Sequence, residues 1–183
     1  MHIRRRADLF IYAHVNDLVI GSLGLHRGDT NPELIFEMCD PPNAFERLTN
    51  EPRPDRSLLA EVGSRAVRIP NGLQIKSREV SVAMTAMHVL ISYAQGIRYL
   101  GFVSNPLAPA IAAAVGIPLV VLGKPDYSRQ NAVFLKNVER IARTRQVCYG
   151  CEIISTNGCY AALTALEEAG SLVKGNADFL FQN

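Results

Sequence analysis

The sequence predicts one α/β domain on a mixed sheet, with antiparallel N-terminal strands followed by strand, helix, strand, helix and strand. Two β-rich apolar runs, Leu9–Val15 and Leu18–Leu25, are separated only by Asn16-Asp17, a pair that supplies turn chemistry. Val80, Met84, Met87, Ile91 and Ala94 recur at helical spacing. From Lys76 to Leu122 helical and strand-like segments alternate. At 183 residues the chain has the size of a single domain with one core, so residues 1–183 are read as one unit.

The hairpin comes first. From His26 to Pro54 turn formers dominate, notably Gly28-Asp29-Thr30-Asn31-Pro32 and Asp40-Pro41-Pro42-Asn43, around one apolar piece, Leu34–Met38. The prolines of Glu51-Pro52-Arg53-Pro54 each remove a backbone donor and predict an exposed connection. Ser57–Arg68 alternates as a strand does, which puts Leu59, Glu61, Gly63, Arg65 and Val67 on one face and Leu58, Ala60 and Val62 on the other. A turn at Pro70-Asn71-Gly72 leads into the striped helix, which ends near Gly96. Arg98–Ser104 reads as a buried strand, Asn105-Pro106 as a helix start, Leu107–Val115 as an Ala-rich helix stopped by Gly116, and Ile117–Leu122 as a further strand. Strands joined by such helices run parallel, because the crossover returns the chain to the same end of the sheet. Beyond them come a helix at Arg129–Arg145, a short strand near Glu152–Ile154 and a helix at Cys159–Ala169. The small residues of Pro109–Val115 suit close packing within the chain or against a second copy in a homo-oligomer.

Composition narrows the function. A formal charge of +2 is too small to imply a nucleic-acid or acidic-membrane partner, and the basic run Arg4-Arg5-Arg6 is shorter than an interaction arm. The apolar stretch Ala108–Gly123 is broken by Gly116 and Pro118 and is too short for a membrane span. With no signal-peptide pattern and four cysteines, the sequence predicts a soluble cytoplasmic protein with free thiols. Walker, Gly-x-Ser-x-Gly, His-Glu-x-x-His and dinucleotide-binding glycine motifs are all absent.

Four segments carry a family likeness: Ile20-Gly21-Ser22-Leu23-Gly24-Leu25, Thr30-Asn31-Pro32-Glu33-Leu34, Glu61-Val62-Gly63-Ser64-Arg65-Ala66-Val67, and Gly116-Ile117-Pro118-Leu119 through Leu122-Gly123. With the order of elements, they make residues 9–125 resemble the GNAT acyltransferase superfamily, nearest to acyl-homoserine-lactone synthases. Residues 126–183 match nothing. In those synthases Glu and Ser-Arg stand one residue closer than Glu61 and Ser64-Arg65 do, and an arginine falls where Gly24 or His26 lies here. The resemblance implies a GNAT-like three-layer arrangement and an intracellular N-acyltransferase. Its donor would be acyl-CoA or acyl carrier protein, and its acceptor the amine of a small metabolite.

On that resemblance Glu61 and Arg65 are the catalytic candidates, the carboxylate taking a proton from the attacking amine and the guanidinium orienting an anion. Their spacing sets them about 13 Å apart on one strand face, where two solvated charges would read the same way. Arg68, Asn71 and Gly72 occupy the junction that in the superfamily offers backbone amides to the donor's pyrophosphate, and an ordinary turn has the same composition. Ser104 and Asn105 are ligand-facing or simply a helix cap. Lys124 and Arg129, with Asp126 between them, are candidates for an anionic ligand or an acidic carrier. Glu33, Glu37 and Asp40 are acids in a loop the sequence does not place.

Two other readings use different residues. Cys148-Tyr149-Gly150-Cys151, with Cys159 further on, suggests a thiol-redox or metal module, against which stand the missing second ligand pair and the tendency of free cysteine to fill cores. The acyltransferase resemblance assigns no metal. The other reading is a non-catalytic ligand-binding or protein-interaction module of the same fold. His88 lies off the main helical stripe and reads as a partly buried helix residue, and His14 and His26 flank the hairpin with no nucleophile paired to them.

Overall fold

The computed structural model describes residues 7–31, 34, 37–104, 108–126 and 146–170. Strands β1 (Leu9–Val15) and β2 (Leu18–Arg27) form the expected hairpin, closed at Asn16, which takes the left-handed conformation a short polar side chain tolerates. The region expected to be irregular holds two elements: a two-residue strand β3 (Cys39–Asp40) and a short helix α1 (Ala44–Thr49). A 3₁₀ turn at Arg56–Leu58 feeds β4 (Leu59–Val67), and α2 (Ser77–Ala94) follows. Then come β5 (Tyr99–Ser104), α3 (Ala108–Ala114), β6 (Val120–Pro125), β7 (Val147–Glu152) and α4 (Asn157–Glu168). The helix expected at Arg129–Arg145 lies outside the described residues.

These strands form one seven-stranded sheet in the order β1-β2-β4-β5-β7-β6-β3. Only β4 and β5 pair in parallel; every other described ladder is antiparallel. The helical crossovers do keep β4, β5 and β6 pointing the same way, but β5 and β6 are not neighbours, since β7 inserts between them antiparallel to both. The reason is burial: Cys148 through Cys151 are covered on both faces, which only a central strand achieves.

Three layers result. On one face α2, α3 and α4 pack Val82, Ala86, Val89, Ala112 and Cys159 against Leu25, Ala60, Leu100 and Cys151 of the sheet. On the other, α1 seats Ala44 and Phe45 against Leu59, Tyr99, Leu122 and Cys148. The long connection before β4 is fixed by Arg56, whose guanidinium donates to both Glu37 carboxylate oxygens (2.7 and 3.1 Å) and to the Gly28 and Asn31 carbonyls. One charged side chain thereby holds a segment with almost no ladder of its own. Gly123 completes the edge: at φ 144°, a Cβ there would lie 2.3 Å from the Asp40 carbonyl oxygen, so only glycine lets β3 approach β6.

Candidate active site

The sheet comes apart in its middle. β4 and β5 share three residue pairs, Leu59 with Tyr99, Ala60 with Leu100 and Glu61 with Gly101, and then separate although β4 continues to Val67 and β5 to Ser104. Each remains held on its outer side, β4 by β2 and β5 by β7, so the wedge between them is a built feature.

Just past the last shared pair, β4 bulges. Gly24 pairs with Gly63 and Ser22 with Ala66, so Leu23 alone stands opposite two residues, Ser64 and Arg65. One extra residue on a strand turns every later side chain to the other face. Period-two spacing put Glu61 and Arg65 on one face; the bulge separates them. Val62 and Val67, an odd number apart, accordingly pack into the same cluster with Leu23, Val80 and Met84.

A cavity of about 660 Å³ opens in the wedge, on the α2 side. Its walls are mainly apolar, including Leu23, Val62, Leu100, Phe102, Ile111, Ile117 and Leu119. Val103 lines it too, although Val103 packs with the α1-side cluster, so the cavity reaches through the gap. At its rim stand Arg65, Arg78 and Ser77, all exposed, and among its described lining residues there is no Asp or Glu. The walls of the wedge lower the Arg65 guanidinium's pKa by desolvation, and it remains a cation. Ser77 and Arg78 open α2, whose capping is supplied by Glu79 accepting from the Lys76 N–H at 3.1 Å. A helix start and two guanidiniums make this rim electropositive.

Across the sheet lies a polar cluster. Glu61 is 3% exposed and His26 6%, and they are cross-strand partners on the α1 face. Both crowd the space above Gly63: a Cβ built there would meet the His26 ring at 3.1 Å and the Glu61 Oε1 at 3.7 Å. Glycine at this position is what lets an imidazole lie over the strand beside a carboxylate. Arg47 donates to the Leu122 carbonyl and to Cys39 Sγ, while Cys39 Sγ donates to the Pro41 carbonyl at 3.1 Å. Cys148 lies near Cys39, Glu61 and Arg47; burial foremost, then Cys39 and Glu61, pushes its thiol up to about 12, with Arg47 opposing.

That cluster also decides the cysteine motif. Cys148 and Cys151 are three apart on a strand and so point to opposite faces, Cys148 into the α1-side cluster and Cys151 into the α2-side core. They cannot share an ion or close a disulfide while β7 stays in the sheet. Desolvation also pushes Cys151 up to about 12, which removes thiolate character. Among the described residues no group of three or more His, Cys, Asp or Glu side chains could hold a metal ion.

Of the residues singled out in sequence, Arg65 and Ser104 line the cavity, and Glu61 is buried on the far side of the same gap. Asn71 borders a separate shallow concavity beside the β1–β2 turn, with Gly72 and Arg68 exposed nearby. Lys124 is exposed on β6 opposite Asp40. Asn105 and Arg129 lie outside the described residues, as does Glu33, while Glu37 is engaged by Arg56. Arg78 was not singled out, and His26 was noted only as flanking the hairpin, without a role. His26 becomes conspicuous only once the β2–β4 register sets it opposite Glu61, whereas Arg78 had a signal in sequence, as a cation in the first turn of the clearest helix.

No family model matches the chain, and no curated protein does. Solved structures do. LasI, an acyl-homoserine lactone synthase, superposes with a TM-score of 0.57 at 15% identity, covering 91% of this chain and 72% of that one. This chain shares the fold of the acyl-homoserine lactone synthases. BjaI, a CoA-dependent synthase solved with SAM and isopentyl-CoA, gives 0.56 at 13% identity over 86% of this chain and 64% of its own. FeeM, an N-acyl amino acid synthase, gives 0.54 at 11% identity over 81% and 74%. The fold common to these acyltransferases is therefore the fold described here, with no helix among the described residues long and apolar enough to cross a membrane.

Proposed function

We propose that this chain is an N-acyltransferase, moving an acyl group from a pantetheine thioester, carried by coenzyme A or an acyl carrier protein, to the amine of a small metabolite. The observation that carries the reading is the wedge between β4 and β5. On its α2 side is an apolar cavity with a cationic rim, and on its α1 side a buried carboxylate and imidazole. The rim suits the phosphates of the donor, held by Arg65, Arg78 and the start of α2, and the apolar walls suit the acyl chain. The thioester would then cross the gap beside Gly63, where the bulge leaves ladder groups free to polarise its carbonyl.

In this reading the amine approaches from the α1 side. Its nitrogen bonds to the carbonyl carbon, the carbon–sulfur bond breaks to release the thiolate, and the amine proton passes to the Glu61–His26 pair and from there to the departing sulfur, which leaves as the thiol. The folds of BjaI, solved with isopentyl-CoA, and FeeM, an N-acyl amino acid synthase, support donor and acceptor of these classes.

The test is a panel of acyl-coenzyme A thioesters against small amines, with thiol release as the readout. Wild type turns over at least one pair. Glu61→Gln, folded by circular dichroism, loses on the order of a hundredfold or more in kcat. Full activity in that variant would remove Glu61 from the chemistry, and a silent panel with no thioester binding would leave a non-catalytic module.

A further inference from the structure

The cavity runs along α2. Arg78, Ser81, Thr85 and His88 line it in succession over about 15 Å of helix, with Arg78 exposed at the rim, Ser81 buried, Thr85 half-buried and His88 at 2% the most buried of the four. At the deep end His88 shares the wall with buried Val89, Leu100 and Cys151. Its Nδ1 lies 3.5 Å from Ser92 Oγ, and its Nε2 makes no hydrogen bond within the protein. Burying a polar nitrogen without a partner is costly, and Leu or Phe at this position would avoid that cost. An imidazole in an apolar wall is therefore poorly explained by packing and well explained by a ligand atom that completes it.

Desolvation lowers the His88 pKa to about 4, so the ring facing that ligand is neutral and offers one donor and one acceptor. The Ser92 hydroxyl can take either role, leaving Nε2 to take the other. Among the described lining residues no charged group accompanies His88 at this depth, so a charged ligand group has no counterpart there. A hydroxyl, which both donates and accepts, pairs with either tautomer.

We propose that His88 recognises a hydroxyl carried on the acyl chain, so that the donor this cavity selects is a hydroxyacyl thioester rather than a plain acyl thioester. The inference rests on the acyl-donor reading of the cavity and specifies its substrate.

Calorimetric titration with decanoyl-coenzyme A and with a series of hydroxydecanoyl-coenzyme A isomers, the hydroxyl moved along the chain, separates the two. In wild type one isomer binds about tenfold or more tightly than decanoyl-coenzyme A. In His88→Leu that preference disappears while decanoyl-coenzyme A binds at least as well, and His88→Gln, which keeps a donor and an acceptor, retains part of it. Equal binding of all the chains to wild type overturns the assignment of His88 and leaves the acyl-donor reading intact. A preference that survives in a folded His88→Leu protein overturns it as well. No binding of any thioester to folded wild type overturns the acyl-donor reading and this inference with it.

Discussion

The two faces of β4 differ sharply at the same height in the molecule. On the α1 side Glu61 and His26 are buried and both engage partners, beside Cys39, Cys148 and Arg47, which bond to one another or to backbone carbonyls. On the α2 side the wall is apolar, open, and holds an imidazole whose outer nitrogen has no partner in the protein. A tightly packed polar cluster is rigid, because moving any member strands the others in a low-dielectric interior. An apolar cavity of about 660 Å³ has room for a guest. The difference teaches which side does chemistry and which side selects: fixed groups suit proton transfer, and space suits a chain of carbons.

The comparison breaks most visibly on the polar side. If Glu61 and His26 act as a unit, Glu61→Gln and His26→Gln each cut turnover on the order of a hundredfold, and the double variant is scarcely worse than either single one. Multiplying losses would show two independent groups. Steady-state kinetics on three folded variants gives the answer.

On the other face, pH is the lever. His88 has a folded pKa near 4 against an ordinary 6.5, so the unfolded chain binds the extra proton across that interval. Stability linked to this group is fully present above about pH 6.5 and falls with pH toward 4, by up to about 3 kcal/mol. Urea melts at several pH values should show the slope in wild type and its loss in His88→Leu; an unchanged slope would mean that His88 is solvated. At the rim the effect is smaller. Arg65→Gln and Arg78→Gln should each raise KM for the anionic donor about tenfold with kcat little changed, and wild-type KM should climb with salt. Least of all is expected from the thiols: iodoacetamide should leave Cys148 and Cys151 unmodified in the folded protein and label both after denaturation, as mass spectrometry would report.

Much of the fold was legible. The hairpin, β4, α2, β5 and α3 fall within a few residues of where alternation, helical spacing and the Asn-Asp, Pro and Gly signals put them, because each of these depends on local geometry. Less legible were β3 and α1. Two residues cannot display a period, and α1 owes its place to Phe45 and Ala44 covering Leu59 and Tyr99, a contact that spans the chain. The position of β7 between β5 and β6 had no signal either, since strand order is set by which surfaces need covering and not by which strand comes next.

The site divides in the same way. By itself the sequence determined the local elements and a strand that carries Glu61 and Arg65, together with the likeness to acyltransferases that the fold now bears out. Only the tertiary structure decided how they meet. A single extra residue opposite Leu23 reverses the facing of Arg65 relative to Glu61, and the pairing of β2 with β4 brings in His26. The end of the β4–β5 ladder at Gly101 opens the gap between them. Alternation fixes a side chain's face only while the ladder stays regular, and bulges and splays are properties of pairing between strands distant in sequence, where no local period can record them.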